Sequence, residues 1–199
     1  FQAYWIEELE DGTFKQSITT RNIDDLPSNE VLIKVHYAGL NYKDALSSTG
    51  NKGITKQYPH TPGVDASGVV VHDKTGKFQK DEKVIVTSYD LGMNTSGGFA
   101  EYICVPASWI VPLPVGLSLK EAMILGTGGY TAGLAVYKME NCGQKPEMGK
   151  ILVTGATGGV GSHAVEILAK AGYEVIAVTG KEKAAAYLKS LGATEIISR

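Results

Sequence analysis

The stretch Ile151-Leu152-Val153-Thr154-Gly155-Ala156-Thr157-Gly158-Gly159-Val160-Gly161-Ser162 most limits what this chain can fold into. An apolar run short enough for a buried strand meets a glycine-rich turn, and the turn opens into a helical pattern. Strand, tight turn and helix start in that order build an anion site. The turn lets backbone approach the ligand closely, and the helix N-terminus offers unpaired N–H groups at the positive end of its dipole. Against the pattern G-x-G-x-x-G, Gly158 and Gly161 fill the second and third glycines, and Ala156 replaces the first. Glycine is common here, 24 residues of 199, so a bare strand–helix turn is the alternative. The setting inside a β-α-β unit favours a dinucleotide whose diphosphate rests on Thr157, Gly158, Gly159, Val160 and Gly161.

The residues that follow keep this rhythm. A helix is predicted over 160–171, stopped by Gly172, and a strand over 174–179. A second helix over 182–191 is stopped by Gly192, and a third strand begins at Glu195. This is one βαβαβ half of a Rossmann fold. Three parallel strands alone leave a face and an edge poorly covered, so the natural protein is expected to continue past Arg199. The end of the second strand bears on the cofactor. An NAD site generally carries Asp or Glu there, roughly 20 residues past the glycines, to bond the ribose 2′-hydroxyl. Here the position is Thr179-Gly180-Lys181. A hydroxyl, a small residue and a cation suit a 2′-phosphate, hence NADPH rather than NADH. Lys183 can assist, Glu182 tempers the local charge, and Arg199 closes the third strand within reach of the same phosphate. The bland reading is a solvated helix start.

Upstream, the pattern is that of strands. Val31, Ile33, Val35 and Tyr37 fall on one face at period two. Val69-Val70-Val71, Val84-Ile85-Val86-Thr87 and residues 100–105 follow, divided by the turn-rich stretches 73–76 and 91–98. Short strands at this spacing predict a small, partly open β-barrel or a sandwich. The pattern changes near Pro112-Leu113-Pro114. Ser118-Leu119-Lys120-Glu121 has the form of a capping box, opening a helix through Leu125. Gly126-Thr127-Gly128-Gly129 interrupts it, and a second helical stretch runs from Tyr130 to a stop at Asn141-Cys142-Gly143. The expected fold class is therefore β followed by α/β. A barrel domain occupies residues 1–120, and the first half of a nucleotide-binding domain occupies 121–199.

Charge and composition exclude several classes. Lysine plus arginine number 19 and aspartate plus glutamate 21, a net charge of −2, without the basic excess of a nucleic-acid or polybasic membrane binder. The aromatics, Trp109 among them, are scattered and form no platform for stacking bases. No apolar run nears the ~20 residues of a spanning helix. The chain opens at Phe1 with neither an initiator methionine nor the basic and apolar regions of a signal peptide, so its ends read as trimmed. Cys104 and Cys142 stand far apart, which suits a reducing cytosol better than a bridge between them. His36, His60, His72 and His163 show no metal-type pairing and are expected to be surface or satisfied histidines.

Five stretches together resemble the medium-chain dehydrogenase/reductase superfamily. They are Gly39-Leu40-Asn41-Tyr42-Lys43-Asp44, Pro62-Gly63-Val64-Asp65-Ala66-Ser67-Gly68, Gly97-Gly98-Phe99-Ala100-Glu101-Tyr102, Gly126-Thr127-Gly128-Gly129-Tyr130-Thr131-Ala132 and the glycine turn. The resemblance implies a GroES-like, partly open β-barrel domain followed by a Rossmann domain, in a homodimer. Within the superfamily, Asn41-Tyr42-Lys43-Asp44, Thr179-Gly180-Lys181 and Tyr187-Leu188-Lys189-Ser190-Leu191-Gly192-Ala193 resemble the branch of quinone-oxidoreductase-like proteins and NADPH-dependent acrylyl-CoA reductases. Zinc alcohol dehydrogenases carry cysteine where Asn41 stands and His-Glu where Val64-Asp65 stands. Val64 cannot ligate, and 91–98 lacks the four cysteines of their structural zinc lobe, so a zinc-free member is expected.

The activity implied is hydride transfer from NADPH to a small molecule, the β-carbon of an enoyl thioester or a quinone. A non-catalytic NADPH-binding protein is a further alternative. Negative charge would build on the acceptor oxygen, where a hydrogen-bond donor lowers the barrier. Tyr42 is the candidate catalytic residue, since the matching tyrosine of the branch lies at the cofactor. Packing in the barrel is its other reading. Thr127, at the helix interruption, is expected to donate to the nicotinamide carboxamide, and Asp44 and Asp65 to order nearby loops.

Overall fold

The computed structural model describes residues 1–199, the side chain of Glu182 excepted. The chain divides into two compact units, Phe1–Thr127 and Gly128–Arg199. In the first, β1 (Gln2–Glu8) and β2 (Phe14–Thr20) form an antiparallel hairpin. Strand β3 (Val31–Ala38) leads to the short helix α1 (Tyr42–Ser48), and then come β4 (Asp65–Asp73), β5 (Lys83–Thr87), β6 (Tyr102–Val105) and β7 (Ile110–Pro112). These last five strands make one antiparallel sheet in the order β6-β3-β4-β5-β7.

Strand β4 shows why the sheet sits as it does. Its first four residues, Asp65-Ala66-Ser67-Gly68, are all buried, so both faces of the strand are covered there and only small side chains fit. Alternation then sorts them. Ala66 and Val70 enter the apolar core with Val31, Ile33, Val84, Val86, Ile103 and Val105. Asp65 and Ser67 face the other way, where the Ser67 hydroxyl donates to the Leu119 carbonyl at 2.8 Å. Each core valine or isoleucine removed from water contributes about 1.5–3 kcal/mol. The face expected for β3 holds for Val31 and Ile33 and fails at Tyr37, which is exposed. The reason is a bulge. Val35 pairs with Gly68 and Tyr37 with Ser67, so β3 carries one extra residue and its alternation slips.

His60 departs from expectation as well. It is 5% exposed, its backbone pairs with Ile6, and its Nε2 has no hydrogen-bond partner among the described residues. Burial holds its imidazole below the ordinary value of 6.5, against a bond involving the Gly92 backbone and the charge of Asp90. The folded state therefore keeps the ring neutral while the unfolded chain protonates it. Stability is full above the unfolded value of 6.5 and is lost as the pH falls toward the lower folded value, by about 1.4 kcal/mol per pH unit. His60→Leu should flatten that part of a urea-midpoint profile measured between pH 7 and pH 5; an unchanged slope would show that other groups set it.

Helix α2 (Leu119–Asn141) starts on the expected capping box. The Ser118 N–H donates to Glu121 Oε2 at 2.8 Å, and the Glu121 N–H to Ser118 Oγ at 3.2 Å. The helix breaks at Gly126, whose φ of 46° and ψ of −152° lie outside the helical region. In the second unit, β8 (Ile151–Val153), α3 (Gly159–Lys170), β9 (Val175–Thr179), α4 (Ala185–Ser190) and β10 (Glu195–Ser198) follow the expected alternation. A single 3-10 turn, Glu182–Ala184, occupies the first part of the predicted second helix. The sheet is parallel in the order β10-β9-β8. Val136, Val153, Val165, Leu168, Val175, Ala177 and Leu188 form its core. Among the described residues no helix is long and apolar enough to cross a membrane, and Cys104 and Cys142 are both free thiols.

Candidate functional site

All three strands of the second unit run in one direction, so their carboxyl ends share one edge of the sheet. The glycine turn leaves β8 at that edge. Gly155 has a φ of +60°, the left-handed conformation that glycine adopts without strain. The residue matched to the first glycine of the pattern, Ala156, does not need that freedom; its methyl is fully buried in the core. Gly158 caps α3 without a side-chain bond, and the first intrahelical bond runs from the Ser162 N–H to the Gly158 carbonyl at 2.8 Å. The N–H groups of Gly159, Val160 and Gly161 lie ahead of it, in a first turn that carries no acid. That donor set fits a diphosphate.

The turn is tied to the neighbouring strand, because the Ala156 N–H donates to the Val178 carbonyl at 3.2 Å. Beyond Val178 come the residues expected to read the 2′-position. Thr179 is buried, and its Oγ1 accepts the Lys181 N–H at 3.0 Å, which shapes the turn through Gly180. The Arg199 N–H donates to the Thr179 carbonyl at 3.3 Å. Thr179, Lys181 and Arg199 thus converge at the ends of β9 and β10, with the Lys181 side chain exposed. Thr179 acts there through its backbone and its acceptor oxygen. Thr157 is half-buried on the glycine turn.

A second cluster lies in the first unit. Asp44 is the third residue of α1, and its Oδ2 accepts the Asn41 N–H at 2.7 Å, closing a capping box. Its Oδ1 accepts the Val64 N–H at 3.0 Å, which ties α1 to the entry of β4. Burial pushes the Asp44 carboxyl above its ordinary value; these two N–H bonds oppose the shift, and the neighbouring charge of Asp65 adds to it. Asp65, 1% exposed, accepts the Asn41 Nδ2 at 2.7 Å and the Thr127 N–H at 2.9 Å on Oδ2, and the Thr127 hydroxyl at 2.7 Å on Oδ1. Asn41 therefore bridges two buried carboxylates, its backbone serving one and its side chain the other. Tyr42, the next residue, is 80% exposed at the start of α1.

Asp65, expected to order a nearby loop, bonds both Asn41, the residue before Tyr42, and Thr127. The local sign of this was an acid among the small residues of a strand, a pattern that requires partners on the covered face. Thr127 was expected to donate, yet its one hydroxyl proton goes to Asp65. Among the described residues no group of three or more His, Cys, Asp and Glu is arranged to hold a metal ion. At the positions compared with zinc ligands, the Asn41 amide hydrogen-bonds Asp65, and Val64 is a buried hydrocarbon.

Comparison with known proteins covers both units. The profile of the Alcohol dehydrogenase GroES-like domain matches residues 27–115, and that of the NAD dependent epimerase/dehydratase family matches residues 151–195, the glycine turn and the strands around it. Bacillus subtilis (strain 168) YhfP, whose name assigns it provisionally to the quinone oxidoreductases, is 50% identical over all of this chain and 60% of its own length. Its structure with NAD bound matches at a TM-score of 0.96. The acrylyl-CoA reductase AcuI of Ruegeria pomeroyi is 44% identical, over 97% of this chain and 58% of that protein. The yhdH oxidoreductase of Salmonella enterica, solved in complex with NADP, is 44% identical and matches at a TM-score of 0.97 over 100% of this chain and 61% of its own. The chain spans about three fifths of the length of these relatives. A barrel unit followed by a parallel nucleotide-binding sheet, with relatives 44–50% identical along this chain, supports the medium-chain dehydrogenase/reductase superfamily, matched over about three fifths of those relatives' length.

Proposed function

We propose that this chain carries the GroES-like barrel and the first nucleotide-binding half of a zinc-independent, NADPH-dependent oxidoreductase. Its proposed acceptor is an electron-poor enoyl thioester such as acrylyl-CoA. The carrying observation is that the acid-free helix start at 159–161 and the Thr179, Lys181 and Arg199 cluster stand at one edge of one sheet. NADPH, when bound, supplies the hydride. The N–H groups of Gly159, Val160 and Gly161 hold the diphosphate, and the Lys181 ammonium neutralises the 2′-phosphate, where an Asp or Glu would repel it. The exposed Tyr42 hydroxyl donates a hydrogen bond to the acceptor oxygen as charge develops there. The name of the R. pomeroyi relative supports the enoyl thioester, and that of YhfP supports a quinone as the second reading. A homodimer in a reducing cytosol is the setting we assign, on the resemblance and on the two free thiols.

The neighbours were solved with NADP in one case and NAD in another, so the cofactor preference rests on the residues after β9. Titration of the intact protein with NADPH and NADH tests it. Lys181→Ala should weaken NADPH about tenfold, the worth of one charge-assisted hydrogen bond at an exposed site, and leave NADH unchanged. A wild type that prefers NADH, or a variant with unaltered selectivity, would refute the phosphate assignment. A panel of acrylyl-CoA and simple quinones with NADPH then separates the two acceptors.

A further inference from the structure

His60 joins three segments of the first unit. Its N–H donates to the Ile6 carbonyl and its carbonyl accepts the Ile6 N–H, both at 2.9 Å, which fixes it to β1. The next three carbonyls, of Thr61, Pro62 and Gly63, accept the N–H groups of Gly97, Phe99 and Gly98 at 2.8, 3.0 and 2.8 Å. The ring bonds the Gly92 backbone, and the Tyr58 ring meets it edge-on at 6.4 Å. Its Nε2 is buried and has no hydrogen-bond partner among the described residues.

A neutral imidazole tolerates one bare lone pair. A proton on Nε2 would add a buried charge and an N–H with no acceptor, which costs far more. The charged groups around the ring do not supply that acceptor. Asp90 accepts the Asn94 Nδ2 at 2.9 Å and the Thr95 hydroxyl at 3.2 Å. Glu8 of β1 is paired with Lys52, which stands 4.9 Å above the Tyr58 ring. None of these groups bonds Nε2. Burial outweighs the favourable charge of Asp90 and disfavours the proton.

The walls around the ring differ in strength. Toward β1, both bonds at Ile6, the Tyr4 N–H to the Phe99 carbonyl and the Glu101 N–H to the Gln2 carbonyl hold the hairpin in place. Toward Gly92 lies the turn 92–97. Leu91, fully buried, anchors one end of it in the core, and the Gly98 N–H anchors the other on Gly63. Between these anchors the Gly97 N–H and the His60 ring hold the turn on residues 60–63. No side chain separates the two. A Cβ on Gly92 would lie 2.5 Å from the Gly63 carbonyl carbon, and one on Gly97 would lie 2.4 Å from the Pro62 oxygen. With Gly92 seated this closely, the ring reaches water by lifting the turn.

We infer that His60 is a pH-operated latch on the turn 92–97. With the ring neutral the turn lies closed on residues 60–63, and a proton on Nε2 opens it while the five-stranded sheet stays folded. The turn also touches two neighbours, since Lys43 Nζ lies 3.9 Å from Met93 Sδ and the Lys56 N–H donates to Asn94 Oδ1 at 3.2 Å. Opening therefore frees Lys43 of α1 and the segment that carries Lys56.

Amide hydrogen exchange of the intact protein tests this, followed by NMR between pH 7 and pH 5 and divided by the unstructured-chain rate at each pH. Opening at the Gly97 amide should rise about tenfold toward pH 5, in step with the titration of the His60 ring signals. Dilute urea should leave that exchange unchanged and accelerate exchange at Val70 in the core, the mark of a local opening. His60→Gln keeps an N–H for Gly92 and takes no proton in this range, so the rise should vanish. If His60→Gln does not fold, the shared midpoint of ring and amide in wild type still decides. Gly97 protection that ignores pH, a rise that survives His60→Gln, or Gly97 and Val70 exchanging through one urea-sensitive opening would overturn the latch.

Discussion

Replacing Gly161 by alanine is expected to abolish dinucleotide binding and to cost the second unit about 3 kcal/mol or more of stability, the upper range for overpacking a close contact. The added Cβ would lie 2.3 Å from the Gly155 carbonyl oxygen, 2.8 Å from its carbon and 2.9 Å from the Ala156 Cα. All three are backbone atoms. They cannot retreat easily, because Gly155 accepts the Gly158 N–H at 2.9 Å and Ala156 donates to Val178 at 3.2 Å. Helix α3 must lift from the turn instead, and its first-turn N–H groups leave the diphosphate site. Gly159→Ala is the matched control, since a Cβ there has nothing within 4 Å. Urea unfolding and NADPH titration of both variants check the claim. Equal urea midpoints for the two would show that close approach at Gly161 is not what the turn needs.

Asp65→Ala is expected to lower the stability of the first unit by about 3 kcal/mol, because three donors lose their acceptor at once. Fully buried orphans would cost more, at about 1–3 kcal/mol each, but Asn41 and Thr127 are half-buried and recover part of this from water. Replacing a buried carboxylate can be harmless where its partners are replaced with it; here the partners stay. The comparison is Ser67→Ala on the same face of β4, which removes one bond to Leu119 and should cost about 1 kcal/mol. Urea midpoints within error of each other for the two variants would reduce Asp65 to an ordinary polar residue of the strand.

How far the fold could be read from residues alone depends on how local each signal was. The alternation of the second unit is written in adjacent residues, with apolar runs closed by Gly172 and Gly192, and its boundaries shift by a residue or so except at the second helix, which starts three residues late after a 3-10 turn. The capping box at Ser118 and Glu121 is equally local. What escaped depended on a second strand or a distant segment. Tyr37 changes face because of a bulge opposite Gly68, which period-two counting cannot register. The left-handed turn residue is Gly155, one place before the pattern match, because the fold asks for a backbone angle and not for a letter. His60 carries no mark of its burial, since its surroundings come from β1 and the 90–92 turn. At the proposed site, the glycine turn and the Thr179 and Lys181 pair lie in runs of adjacent residues, while Tyr42 rests on the resemblance alone. The partners of Asp65 lie 24 and 62 residues away, so its neighbours in sequence show a loop-ordering acid and not the segments that it ties.

Those separations also bear on the order in which the molecule assembles. Closing a loop costs entropy that rises with its length, and the bond from Thr127 to Asp65 spans 62 residues, which include β5, β6 and β7. The cluster can close only after β4 has found β3 and the helix start at Ser118 has formed, so it belongs to the last stage of folding of its unit. Changes at Asn41, Asp65 and Thr127 are therefore expected to speed unfolding and to leave the rate of folding almost unaltered, which stopped-flow unfolding and refolding of Asp65→Ala checks.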